Sequence, residues 1–152
     1  MTAVRSRAWW ILGFFALTLV LFGATDLAGG VTSDPGITEA IAGQTPAEVL
    51  AAEPTGYRLY DFATRSLGLG LLVLGSVLVA IVLVPYRAGE RWAWAVLWIL
   101  PAWSLAVPLL YVAFGTAPNS PPAPPMVSGP IIALLAAAAL VVDRRRFVPA
   151  AG

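Results

Sequence analysis

Four long stretches without a charged residue constrain this chain more than any other feature of its sequence. Each stretch holds 17 to 23 mostly apolar residues, the length that an α-helix needs to cross the hydrocarbon core of a bilayer. They predict spans at about residues 8–25, 64–85, 92–114 and 126–142. We therefore expect a single all-α integral membrane domain over residues 1–152, folded as a bundle of four transmembrane helices.

The composition supports a membrane protein rather than a soluble domain. Hydrophobic residues make up 59% of the chain and charged residues only 11%, whereas soluble domains carry roughly 25% charged residues. A soluble core of this size cannot bury so much apolar surface, so we expect the lipid bilayer to be the main partner. The net charge of +1 gives no reason to expect nucleic acid as a partner.

Two absent residue types exclude much of enzyme chemistry. The chain has no cysteine, which excludes thiolate catalysis, Cys-ligated zinc and iron–sulfur clusters. It has no histidine, which excludes imidazole acid–base catalysis and His-ligated haem. A metal site would have to consist of carboxylates alone. We therefore predict no cofactor and no metal.

The first apolar stretch follows Arg5 and Arg7 and opens with two tryptophans, Trp9 and Trp10. A cleaved signal peptide also has a basic start and an apolar run. This run is long, however, and no convincing small-x-small cleavage site follows it. The pattern favours a retained helix with the tryptophan pair at the membrane interface.

The arginines are distributed unevenly between the two sides of the predicted bundle. Seven of them belong to the N-terminus, the 85–91 turn and the C-terminus, whereas the opposite side holds two arginines and six carboxylates. The seven are Arg5, Arg7, Arg87, Arg91, Arg144, Arg145 and Arg146. Because positive loops stay in the cytoplasm, we predict a multi-pass protein of a prokaryotic plasma membrane with both termini cytoplasmic.

The predicted outer connection, residues 26–60, contains signals for two short helices. Thr45, Pro46 and Glu48 form the pattern of a capping box, and Asp34-Pro35 followed by Gly43 delimits an earlier helix. We expect these helices to form an extracytoplasmic cap on the bundle. The alternative is a solvated connector. On the opposite side, the short basic turn between the second and third spans predicts an antiparallel hairpin.

The candidate site lies in residues 57–65, the most polar segment that adjoins a predicted span. On a helix, Tyr57, Asp61 and Arg65 share one stripe with small residues below them. One interpretation places Asp61 and Arg65 at the mouth of a pocket under the cap, with Tyr57, Tyr60 and Tyr111 as ligand-binding candidates. The other is structural: Asp61 is favoured by the helix dipole and Arg65 extends to the interface.

The third span contains Pro101 and Pro108, which leave the carbonyls of Leu97 and Ser104 without their usual helical donors. Such sites line cavities in transporters, or they are tolerated through packing against neighbouring helices. No ionisable residue lies deep in any apolar stretch, which argues against ion-coupled transport.

The spacing Pro54, Tyr57, Asp61, Arg65, Gly68, followed by the turn sequence PYRAGERWAW at 85–94, resembles small four-span membrane proteins grouped as DoxX-like. The resemblance covers about residues 40–105. It implies the four-helix fold and little about activity.

Three functions remain open. The first is a non-catalytic membrane protein that binds a lipid-like ligand or acts as a subunit beside a membrane protein partner or in a homo-oligomer. The second is an isomerase-like enzyme on a lipid or isoprenoid substrate, with Asp61 as the acid–base group supported by Arg65. The third is a small transporter.

Overall fold

The computed structural model describes residues 7–147, and Arg5 therefore lies outside the described residues. Within that range the chain is helical and contains no strand. Its helices are α1 (Ala8–Gly29), α2 (Pro35–Ala42), α3 (Pro46–Ala52), α4 (Pro54–Ile81), α5 (Arg91–Val96), α6 (Ile99–Phe114), α7 (Pro124–Val142) and α8 (Arg144–Phe147). A 3-10 turn (Gly30–Ser33) extends α1, and a π-helical turn (Val82–Tyr86) extends α4.

Four helical segments are long and apolar enough to cross a membrane, as expected for a multi-pass membrane protein of the predicted all-α class. The segments are Ala8–Ser33, Pro54–Tyr86, Arg91–Phe114 and Pro124–Val142. Each contains one of the apolar stretches found in the sequence. The third is interrupted by a turn at Leu97 and Trp98, four residues before Pro101, where the missing amide removes a helical hydrogen bond.

The first two membrane helices are longer than their apolar stretches. Helical structure continues past Asp26, whose carboxylate accepts a hydrogen bond of 2.6 Å from the Ser33 hydroxyl, so this charge does not end the helix. Pro54 begins α4, where its missing amide breaks no helical hydrogen bond. The connection expected at 26–60 consequently shortens to residues 34–53, which include α2 and α3.

Helices α1 and α4 are in direct backbone contact, and glycines make this contact possible. A Cβ atom added at Gly68 would lie 2.6 Å from the Leu27 nitrogen, and one added at Gly75 would lie 2.7 Å from the Val20 nitrogen. On the facing helix, a Cβ at Gly23 would collide with the Leu72 backbone. The predicted use of small residues for close approach of membrane helices is thus present here.

A second close contact joins α6 to α7 at Pro108 of the third span. A Cβ added at Gly129 would lie 2.5 Å from the Ser104 carbonyl oxygen and 3.1 Å from the Pro108 ring. This is the carbonyl that Pro108 leaves without its helical donor. Of the two interpretations of Pro108, packing against a neighbouring helix is the one observed.

The close contacts give the order α4, α1, α7, α6 across the bundle, since α1 packs against both α4 and α7. The second and third spans approach each other at Val82–Tyr86 and Arg91–Val96, next to the turn that joins them. The two helices of the predicted hairpin therefore contact each other chiefly near the turn that joins them. Farther from the turn, α4 packs mainly against α1, and α6 packs mainly against α7.

The bundle has two different ends. We call the start of α1, the 87–91 turn and α8 the arginine-rich end, and residues 30–60 with 111–125 the loop end. The main hydrophobic core lies in the half toward the arginine-rich end and takes residues from all four spans. Its fully buried members include Leu12, Leu78, Leu97 and Leu140.

The two short helices predicted in the loop end are present. Helix α2 ends at Gly43 in the left-handed conformation (φ 68°), and α3 has the complete capping box between Thr45 and Glu48. The Thr45 amide and hydroxyl donate to the Glu48 carboxylate and lower the pKa of that carboxyl. This cap therefore stabilises the fold above the usual glutamate pKa and loses its effect as the pH falls through the lowered value.

The glycine contact predicts opposite effects for two neighbouring substitutions in α4. Gly68→Ala should lower the free energy of unfolding by about 1–3 kcal/mol, because its methyl group forces α1 and α4 apart. Gly70→Ala, whose Cβ meets nothing within 4 Å, should change it by less than about 1 kcal/mol, toward stabilisation. Unfolding in detergent micelles titrated with SDS measures both values. Equal effects of the two substitutions would contradict the close contact.

Candidate functional site

Asp61 and Arg65 form the predicted ion pair one helical turn apart on α4. Arg65 Nε donates to Asp61 Oδ2 at 2.8 Å, and the Val31 backbone nitrogen donates to Asp61 Oδ1 at 3.1 Å. Arg65 Nη1 also donates to the carbonyls of Leu27 and Ala28, at 2.9 and 2.8 Å. These two carbonyls belong to the last turn of α1. At a helix end, no following turn supplies N–H donors to such carbonyls.

This arrangement fastens the C-terminal end of α1 to α4. The backbone runs past the Asp61 carboxylate at Gly30. This glycine has a φ of 59°, and a Cβ atom there would collide with the carboxylate. Both Asp61 oxygens accept hydrogen bonds from the protein. The site geometry therefore matches the structural interpretation of Asp61 and Arg65.

Two of the three candidate tyrosines lie within electrostatic range of each other at the loop end. Tyr111, near the end of α6, is within that range of Tyr60 on α4 and of Asp34, the residue before α2. Tyr111 is 9% exposed and packs in a small apolar cluster with Ala40 and Ile37 of α2. Helix α2 therefore packs directly against Tyr111, and Tyr60 faces it at longer range.

The polar groups of this cluster have no hydrogen-bond partner among residues 7–147. The side chains of Asp34, Tyr60 and Tyr111 make no described hydrogen bond, and Asp34 does not cap α2 with its side chain. Thr38 lies one turn beyond Asp34 on the same side of α2. Its hydroxyl is buried without a partner, and its residue is 3% exposed. We call Asp34, Tyr60 and Tyr111, together with Thr38 one helical turn from Asp34, the loop-end polar cluster.

Tyr57, the third candidate tyrosine, is not part of this cluster in the described contacts. It lies near the start of α4 and is partly exposed. The five candidates therefore divide into a structural pair (Asp61 and Arg65), two members of the polar cluster (Tyr60 and Tyr111) and Tyr57 alone. Asp34 and Thr38 are additions that the sequence did not indicate, because only the tertiary fold brings α2 beside α6.

The arginine-rich end contains a buried polar pair that the sequence interpretation missed. The Tyr86 hydroxyl donates to Asp143 Oδ2 at 2.7 Å, and both residues are buried, at 0% and 4% exposure. In the sequence, Asp143 is read as part of a charged stop after the fourth span. The available signal was that Tyr86 and Asp143 end the second and fourth spans on the same predicted side.

Aromatic and arginine contacts surround this pair. The Phe147 ring lies 4.9 Å from the Tyr86 ring, and the Arg146 side chain donates to the Arg87 carbonyl. Trp94 Nε1 donates to the Leu140 carbonyl at 2.9 Å, which fixes α5 against α7. These bonds join the second, third and fourth spans and α8.

A shallow, open depression of about 290 Å³ lies on the loop end, outside the polar cluster. It is lined by Glu39, Gly43, Gln44, Thr45, Glu48 and residues 118–121. Its two carboxylates do not form a metal site: among the described residues, no group of three or more acidic side chains comes together to hold a metal ion.

Comparisons with known proteins give no relative from which a function can be transferred. No protein-family model, curated protein or solved structure matches the chain. The functional argument therefore depends on the geometry of the two ends.

Arg65→Gln should lower the free energy of unfolding by about 1–2 kcal/mol, because the last turn of α1 loses charge-assisted hydrogen bonds at a half-exposed site. Arg58→Gln is the matched control, since Arg58 is an exposed arginine of the same helix and should change stability by less than about 0.5 kcal/mol. Thermal unfolding in detergent compares the two variants. An Arg65→Gln protein as stable as Arg58→Gln would show that the Arg65 hydrogen bonds to the end of α1 do not stabilise the fold.

Tyr86→Phe should destabilise the fold by about 1–3 kcal/mol, because it leaves the buried Asp143 carboxylate without its donor. Tyr86→Phe/Asp143→Leu should recover most of that loss, since both polar groups are then removed. Tyr57→Phe, at a partly exposed position, is the control and should be close to neutral. The pair would be unimportant for folding if Tyr86→Phe behaved like Tyr57→Phe in chemical denaturation.

Proposed function

We propose that this multi-pass membrane protein is a non-catalytic binder of a lipid-like molecule, whose polar headgroup lies in the loop-end polar cluster. The observation that supports the proposal is the set of polar side chains, one of them buried, that find no partner in the described chain. Buried polar groups in folded proteins are nearly always hydrogen-bonded, to protein, water or ligand. A bound headgroup meets that requirement.

The chemistry of the cluster defines the headgroup. Tyr60, Tyr111 and Thr38 each offer a hydroxyl that can donate or accept, and Asp34 offers a carboxylate that accepts. A ligand that meets all four carries hydrogen-bond donors, such as hydroxyl or amine groups. An anionic headgroup is disfavoured because it would face the Asp34 carboxylate.

An exposed apolar side chain follows Tyr60 along the same face of α4. Leu67, two turns further into the predicted span, is 51% exposed. A headgroup held by the tyrosines would have its acyl or isoprenoid tail along this face, continuous with the surrounding lipid.

The orientation follows from the distribution of arginines. Six of the seven predicted cytoplasmic arginines are described, and they belong to the arginine-rich end. With four crossings, the loop end then faces the outside, α2 and α3 form an outer cap over the polar cluster, and both termini are cytoplasmic. The headgroup site would thus lie in the outer leaflet.

The other hypotheses have less support from the geometry. Isomerase-like catalysis by Asp61 has less support, because both carboxylate oxygens already accept protein hydrogen bonds that fasten α1 to α4. An ion-coupled transporter would need an ionisable group at depth, and the charged residues of α4 all lie in its first half. A role as a subunit of a larger assembly and the DoxX-like resemblance both remain predictions.

Mass spectrometry of lipids that copurify with the protein tests the proposal. Tyr111→Phe and Tyr60→Phe should each reduce the amount of the bound compound, by roughly fivefold if one hydrogen bond of about 1 kcal/mol is lost. Tyr57→Phe is the matched control and should retain the wild-type amount. The proposal is wrong if no lipid-like compound is retained by the wild-type protein, or if all three variants retain it equally.

A further inference from the structure

The arginine-rich end concentrates positive charge that no carboxylate in the described part of the chain neutralises through a salt bridge. Its described arginines are Arg7, Arg87, Arg91, Arg144, Arg145 and Arg146. The acidic residues at this end are Glu90 and Asp143, and the buried Asp143 carboxylate is occupied by the Tyr86 hydroxyl. Among residues 7–147, no carboxylate forms a salt bridge with any of these six arginines.

Two of the arginines are held in place by contacts that leave their charge uncompensated. The Arg87 guanidinium lies 4.6 Å from the centre of the Trp9 ring, and Arg146 lies 5.2 Å from the Phe147 ring while donating to the Arg87 carbonyl. These contacts join the 87–91 turn to α8. Arg144 and Arg145, in the same short helix, are exposed and make no described interaction.

Exposed apolar side chains lie directly next to these arginines along the chain. Val142, two residues before Arg144, is 74% exposed, and Trp92, next to Arg91, is 52% exposed. Val84, three residues before Arg87, is 68% exposed. Apolar side chains this exposed on membrane helices face lipid tails, so the adjoining guanidinium groups lie at the level of the lipid phosphates.

We propose that the arginine-rich end binds the phosphate groups of anionic phospholipids. Guanidinium groups match phosphate oxygens with paired hydrogen bonds, and an anionic leaflet attracts basic segments at the membrane surface. Arg144, Arg145 and Arg91 are the main contacts, on the scaffold that the Tyr86–Asp143 pair holds together. This site is separate from the loop-end polar cluster and does not depend on the ligand proposed there.

Quenching of tryptophan fluorescence by brominated lipids tests the proposal in vesicles. Trp10 and Trp92 are exposed toward the arginine-rich end, so a lipid bound there quenches them. The protein is reconstituted in phosphatidylcholine containing either brominated phosphatidylglycerol or brominated phosphatidylcholine. The ratio of the two quenching-derived affinities gives the preference for the anionic lipid.

The wild-type protein should prefer phosphatidylglycerol, and Arg144→Gln/Arg145→Gln should reduce that preference by roughly fivefold or more, as expected for lost arginines at an anionic surface. Neither arginine makes a described contact, so the double variant should fold normally. Arg58→Gln, at the loop end, is the control and should keep the wild-type preference. Equal wild-type quenching by both lipids, or an unchanged preference in the double variant, would overturn the proposal.

Discussion

The backbone contact between α1 and α4 is the interaction on which the loop end depends. Gly23, Gly68 and Gly75 allow the two helices to touch without intervening side chains. This proximity lets Arg65 reach the last carbonyls of α1 and lets Asp61 accept from Val31 as the chain turns away. After that turn, Ala40 and Ile37 of α2 pack against Tyr111 of α6, and Asp34 comes within electrostatic range of Tyr111. A wider helix spacing would remove each of these consequences.

The two ends use polar groups in opposite ways. At the arginine-rich end, polar groups in the core are satisfied internally: Tyr86 donates to Asp143 and Trp94 to the Leu140 carbonyl. At the loop end, the side chains of Asp34, Thr38, Tyr60 and Tyr111 make no described hydrogen bond. Internally bonded polar groups hold the spans in register, whereas polar groups without a bond inside the protein are available to a ligand. The buried core lies at the arginine-rich end, and the proposed headgroup site lies at the loop end.

Local sequence patterns predicted the local features of this structure. The capping box at Thr45, the Asp61–Arg65 pair and the glycine stripe of α4 each depend on residues within one or two helical turns. The C-terminal end of α1 and the N-terminal end of α4 are harder to predict, because a charged residue such as Asp26 or a proline such as Pro54 commonly ends an apolar helix. In the structure, a hydrogen bond from Ser33 satisfies Asp26, and Pro54 occupies the one position where proline favours a helix.

Contacts between distant segments could not be predicted from the same patterns. Tyr86 and Asp143 are 57 residues apart, and no periodicity within either helix shows that the carboxylate is buried. The grouping of Tyr60 with Tyr111 and the exclusion of Tyr57 likewise depend on how the helices pack. The residue types at the candidate site were therefore predictable, whereas their division into a structural pair and a polar cluster required the fold.

The central claim is that the arginine-rich end faces the cytoplasm and the loop end faces outside, since this decides the leaflet in which each proposed site lies. Single-cysteine labelling in intact cells measures this orientation directly. The chain has no cysteine, so one introduced thiol is the only target. Ala47→Cys, exposed on α3, should react with a membrane-impermeant maleimide added outside, and Ala88→Cys, exposed in the basic turn, should react only after permeabilisation. The reverse pattern, or labelling of both positions from outside, would contradict the assigned orientation.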